Sequence, residues 1–150
     1  MGLKAWPLSS PFGAILKTMN LTELMKTLPN GFHDAIMKSV LVDYQKHEVH
    51  IELIVWVGDL DAKDEKAREA YKEAVLIVSG LFAWVIDPPD LYWSPQKNEK
   101  LMIDIGSFES LPDEPPVIVP SGLFGNWIYV TNWNAFIYCV AKTAKLKWQD

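Results

Sequence analysis

The chain has 150 residues, 49% of them hydrophobic and 22% charged, with a formal net charge of -5. That size and composition suit a single domain, residues 1–150, with its own core, and exclude a disordered chain. The acidic balance, without any cluster of Lys or Arg, excludes a nucleic-acid footprint.

Residues 1–20 hold Lys4, Pro7, Pro11 and Gly13 and no unbroken apolar run of the signal-peptide kind. Gly2 would open a myristoylation pattern, but Trp6 stands where Ser or Thr is required. The longest apolar stretch, 75–86, is too short to cross a bilayer. These features predict a cytoplasmic chain without a membrane partner.

Asn20 and Glu23 form the signature of a capping box, followed by an apolar stripe of Leu21, Leu24, Met25 and Leu28, so a two-turn helix is expected up to Pro29. Asn30-Gly31 then favours a turn. From Asp34 to Tyr44 the residues alternate, with Ile36, Val40, Val42 and Tyr44 on one side and Lys38 interrupting it. A polar turn at 45–48 leads to the clearest signal in the chain. Val49, Ile51, Leu53, Val55 and Val57 face one way, and His50, Glu52, Ile54 and Trp56 the other. This hairpin is the frame against which the remaining strands should lie.

Residues 61–70 are highly charged and read as a solvated loop or frayed helix. Strand character resumes from Tyr71 to Ile86, with Gly80 marking a bulge or bend. After Asp87-Pro88-Pro89-Asp90 come a loop, a strand over 101–106, and an extended proline-rich connection over 110–120. Two last strands, 126–131 and 135–148, are joined by Asn132-Trp133-Asn134, where either asparagine can take a positive φ. The sum is an α+β fold: a twisted, mainly antiparallel sheet of about six strands with one or two short helices.

Few residues carry chemistry. His33-Asp34 has the order of a metal phosphohydrolase pair, but that chemistry needs more His and Asp than this chain offers, and either side chain can instead bond the backbone at the entry to the first strand. His47 and His50 lie at odd separation and point to opposite faces, so they do not form a zinc site. Asp59-Leu60-Asp61 opens like a calcium loop, but Asp64 and Ala70 stand at its sixth and twelfth positions instead of Gly and Glu. Cys139, the only cysteine, lies in a strand without a basic neighbour and reads as a buried, inert thiol. The residues therefore predict no catalytic group, no metal site and no cofactor. Seven tryptophans remain, of which Trp93 and Trp133, in polar loops, are candidates for exposed contact, while core packing accounts for several others and Trp56 or Trp127 can lie under the N-terminal segment.

GFHDA at 31–35, WVGD at 56–59, YKEAVLIVSGL from Tyr71, Asp87-Pro88-Pro89-Asp90 and WNAFI at 133–137 resemble a family of small uncharacterised bacterial proteins, over residues 28–148. The His-Asp entry into a hairpin is also similar to some immunity proteins of bacterial toxin systems. That likeness implies at most a binding role and carries over only His33 and Asp34.

The expectation is a non-enzymatic protein that binds another protein, an immunity-like or accessory role, with His33, Asp34, Trp56, Trp93 and Trp133 as contact residues. The competing reading is a small-ligand binder or hydrolase whose pocket uses His33, Asp34, Asp104 or Glu52. A third is an obligate homodimer that covers exposed sheet edges. His33 meeting two further acidic or histidine groups at metal-bonding distance would favour the pocket over the protein partner.

Overall fold

The structure, a computed structural model, describes residues 18–149. The readings made on the first 17 residues, including Trp6, lie outside it. A helix α1 (Leu21–Met25) precedes strands β1 (Ala35–Asp43) and β2 (Glu48–Trp56), and a one-turn helix α2 (Glu65–Arg68) follows. The chain continues through β3 (Tyr71–Ser79), β4 (Ala83–Ile86), β5 (Leu101–Ser107), β6 (Phe124–Val130), β7 (Ala135–Ala141) and β8 (Thr143–Trp148). All eight strands form one antiparallel sheet in the order β4-β7-β6-β5-β1-β2-β3-β8.

Eight strands replace the expected six because the two longest bend. Gly80, at φ +68, turns the chain between β3 and β4, and Lys142 separates β7 from β8. The bend is shared: Lys142 N–H donates to the Ser79 carbonyl (3.0 Å) and Phe82 N–H to the Val140 carbonyl (2.8 Å). Residues 74–86 therefore stay paired with 137–148 across the corner, so the two ends of the strand order meet and the pairing forms a ring of six ribbons. A side chain at position 80 would sit 2.6 Å from Lys142 Cβ, so the corner needs glycine.

Alternation fills the inside of the ring. Val49, Ile51, Leu53 and Val55 of β2 are at most 1% exposed, and Leu76, Val78, Ile103, Ile128, Ile137 and Cys139 join them. Each such aliphatic side chain stabilises the fold by roughly 1.5–3 kcal/mol. In β1 the phase differs from a strict two-residue rhythm. The register steps from Met37↔Leu53 to Ser39↔Glu52, a β-bulge at Lys38, so Ala35 and Met37 are buried before it while Val40 and Val42 lie opposite buried Ile51 and Val49 after it. Ile36 is thereby moved off the side it was expected to share with Val40 and Val42.

The capping box forms as expected: the Glu23 N–H donates to Asn20 Oδ1 (2.7 Å) and the Asn20 N–H to Glu23 Oε1 (3.0 Å). The helix is shorter than its apolar stripe, ending at Met25. It packs on β8 and β6, burying Leu21 and Leu24 where β8 leaves the path of β7. Asn134 takes the left-handed conformation (φ 49) expected in the turn between β6 and β7.

Candidate functional site

The weakest seam of the ring is the one between β1 and β5. It holds three residue pairs, Ala35↔Ile103, Ile36↔Met102 and Met37↔Leu101, whereas β2 and β3 align over nine. At the end of this short ladder Asp34 takes φ +56, which lifts the chain out of the strand. Asp and Asn tolerate that conformation better than most side chains do. The turn before it is built on Asn30: the His33 N–H donates to the Asn30 carbonyl (3.1 Å), while the Asn30 amide donates to the carbonyls of Trp56 (3.3 Å) and Gly58 (2.9 Å). Phe32, 1% exposed, anchors the turn from below.

His33 is thus delivered to the outside of the seam. Ile103 and Ile105 point into the core, so Asp104 between them points out. The His33 Nδ1 lies 2.6 Å from Asp104 Oδ1, and His33 Nε2 lies 3.4 Å from Asp34 Oδ2. The three side chains are 58%, 35% and 43% exposed respectively, so this is a surface cluster and not a sealed centre. One donor atom from each falls within 4.8 Å of the others, a group able to hold a metal ion. Sequence reading named Asp104 only as one possible polar group and expected no metal set. The fold assembles one, because 71 residues separate His33 from Asp104 and only the β1–β5 pairing joins them.

The hydrogen bond to Asp104 is the main cause holding the His33 imidazole above its ordinary pKa of 6.5; burial opposes it, and the negative charges of Asp104 and then Asp34 add to it. In its protonated form the ring is an imidazolium beside Asp104 and Asp34. When it is neutral, the ionised Asp104 keeps the proton on Nδ1 and leaves the lone pair on Nε2, on the side of Asp34.

Beside the cluster a cavity of about 500 Å³ opens to solvent, lined by Asp34, Trp56, Leu60, Arg68, Glu69 and Tyr71. Its wall is the 58–70 loop, folded back on Trp56. The indole Nε1 donates to the Arg68 carbonyl (2.8 Å), the Val57 N–H to the Ala70 carbonyl (2.8 Å) and the Asp59 N–H to the Ala67 carbonyl (2.9 Å). The Arg68 guanidinium donates to the carbonyls of Ala62 and Lys63 (3.0 Å each), closing the loop on itself. Trp56 also approaches His33, with ring centroids 6.2 Å apart. Leu60, Arg68, Glu69 and Tyr71 were not singled out by sequence, since a charged, aperiodic stretch gives no sign of which side chains line a cavity.

The other expected site residues go elsewhere. Trp93 and Trp133 form a packed pair, edge to face at 5.8 Å, half-buried over the turn between β6 and β7. Trp93 Nε1 donates to Glu99, which also accepts from the Asn132 amide. Glu52 accepts from the Ser39 hydroxyl on the outer face of β1 and β2. His47 is in the β1–β2 turn at φ 54, and His50 pairs with Glu48 (3.0 Å). Cys139 is fully buried, its thiol pushed up to about 12 by burial.

No described helix is long and apolar enough to cross a membrane. No protein-family model matches the chain, and no curated protein matches it. Among solved structures, the chain is similar to an uncharacterized protein from Neisseria gonorrhoeae at 14% identity, over 77% of this chain and 91% of that one, with a TM-score of 0.39.

Proposed function

We propose that the protein binds a small molecule in the cavity beside His33, with Asp34, His33 and Asp104 as its polar end. The observation that carries this reading is convergence: His33, Asp34 and Asp104 from two distant segments meet, and Asp34 also lines a cavity walled by Trp56, Leu60, Arg68, Glu69 and Tyr71. A ligand with a flat apolar body and one polar end fits those walls. Among the described residues no hydroxyl or thiol bonds the His33 ring, whose partners are carboxylates, so a nucleophilic mechanism has nothing to act through.

The test is a ligand-observed NMR screen of small aromatic and heterocyclic compounds against the whole chain in EDTA, with amide shifts mapped for the hits. Shifts centred on Asp34, Trp56, Gly58 and Tyr71, abolished by Leu60→Arg, support the proposal. Hits that map elsewhere, or none at millimolar concentration, remove it.

Docking to another protein is a second proposal, favoured by one observation. Leu91 and Tyr92, on the loop that follows Pro88-Pro89, are 97% and 96% exposed. A partner recovered from the native host that is lost with the double substitution Leu91→Ser and Tyr92→Ser would support it. Retention of the same partner by that variant would exclude this loop.

A further inference from the structure

We infer that His33 and Asp34 are direct ligands for a divalent first-row transition ion, oriented by Asp104. This inference rests on the cavity reading and specifies what occupies its polar end.

The geometry separates two roles that proximity alone would blur. His33 Nδ1 and Asp104 Oδ1 are at hydrogen-bond distance, 2.6 Å, whereas His33 Nε2 and Asp34 Oδ2 are 3.4 Å apart, longer than the usual N–H···O bond. Two ligands each about 2.1 Å from one ion, at a tetrahedral angle, lie about 3.4 Å apart. The Nε2–Oδ2 pair therefore spans one edge of a coordination polyhedron. Asp104 stands on the other nitrogen, where a carboxylate fixes the tautomer and aims the ring, the arrangement found behind metal-bound histidines.

Charge agrees with geometry. A neutral imidazole and two carboxylates sum to -2, which a divalent ion balances. The donor set chooses among ions: one imidazole nitrogen with carboxylate oxygen suits zinc, nickel or manganese, whereas calcium and magnesium prefer oxygen throughout. With two direct protein ligands, the remaining positions face solvent and the cavity. A bound small molecule with a carboxylate or hydroxyl could fill them, and affinity for the ion alone should be modest. Asp34 already holds the strained φ +56 that presents its carboxylate, so binding requires no rearrangement of the turn.

The experiment titrates Zn²⁺ alone into the whole chain by calorimetry after EDTA treatment and removal of the chelator, and follows the ring nitrogens by ¹⁵N NMR. The expected result is one saturable site per chain, with the His33 Nε2 resonance moving to the metal-bound position while Nδ1 stays protonated. His33→Gln and Asp34→Asn should each weaken binding at least tenfold; asparagine also tolerates the positive φ, so the turn survives. Asp104→Asn should weaken it about 10- to 100-fold and scramble the tautomer, a shift that a merely structural role would not produce. The double substitution His47→Gln and His50→Gln should leave binding unchanged. The inference is overturned if millimolar Zn²⁺ gives no saturable uptake, or if His33→Gln, folded by circular dichroism, binds as the parent does. The compound screen is run in EDTA, so a zinc failure leaves its outcome standing, and a screen failure leaves this one.

Discussion

Gly58 offers the sharpest test of how the cavity wall is held. A Cβ placed there would lie 1.8 Å from the Arg68 carbonyl oxygen, 2.5 Å from Arg68 C and 2.5 Å from Trp56 Nε1. A carbon–oxygen contact needs about 3.3 Å, so in Gly58→Ala the Arg68 carbonyl must retreat by about 1.5 Å. That atom is backbone, unable to swing aside like a side-chain tip. The displacement breaks the Trp56 Nε1 bond and strains the neighbouring Val57–Ala70 and Asp59–Ala67 bonds. At roughly 0.5–1.5 kcal/mol each, with one of the three retained in part, the loss is about 1–4 kcal/mol. For a chain of this size that lowers Tm by roughly 2–16 °C. Gly31→Ala is the control, since its nearest neighbour is Met25 Cε at 4.0 Å and only its φ of +55 is penalised, about 1–2 kcal/mol. Urea unfolding gives both numbers, and amide exchange at Val57 and Asp59 reports the loop. If Gly58→Ala unfolds within 0.5 kcal/mol of the parent with those amides still protected, the packing argument for the wall is wrong.

Two further outcomes follow from the titrating groups. Because the folded His33 pKa lies above 6.5, its contribution to stability is fully present below pH 6.5 and is lost as pH rises through the raised folded value. Solvent screening keeps the effect small. In EDTA the urea midpoint should therefore fall from pH 6 towards pH 9, and Asp104→Asn should flatten most of that slope; equal slopes in the two proteins would show that Asp104 does not hold the proton. Cys139, with its thiol pushed up to about 12 by burial, should react with a disulfide reagent only as fast as the chain opens. Stoichiometric labelling of the native protein, with its circular dichroism unchanged, would refute that.

What the sequence disclosed and what it hid divides along range. The alternation in β2 was readable because both neighbours, β1 and β3, pair along most of its length and one face is buried throughout. Strand character also marked 71–86 and 135–148, but local pattern could not show that Gly80 and Lys142 bend at the same place, which makes two strands of each. The bulge at Lys38 left a trace, a charge interrupting an apolar side, yet its effect on the phase of Ile36 appears only once β2 is beside it. Trp93 and Trp133 misled because polar loop composition suggests exposure, while each indole is covered by the other. His33 and Asp34 were visible as a motif. Their partner was not, since nothing in the sequence sets Asp104 apart from any other outward polar residue on a strand.

The position of the cluster has its own physical logic. In a ring of paired strands, a seam three pairs long leaves the backbone groups beyond it without a neighbouring strand, and polar groups there need other partners. Asp34 leaves the ladder at that point, and the His33–Asp104 bond crosses the gap that backbone pairing does not. The groups proposed to recognise a ligand are thus the same ones that fasten β1 to β5. An occupant fixing the His33 ring through Nε2 would steady the Nδ1–Asp104 bond across the weakest seam, and would stabilise the fold in proportion to its affinity. Ligand binding at this site should therefore register first as slowed amide exchange at Ala35, Met37 and Ile103, before any change elsewhere in the ring.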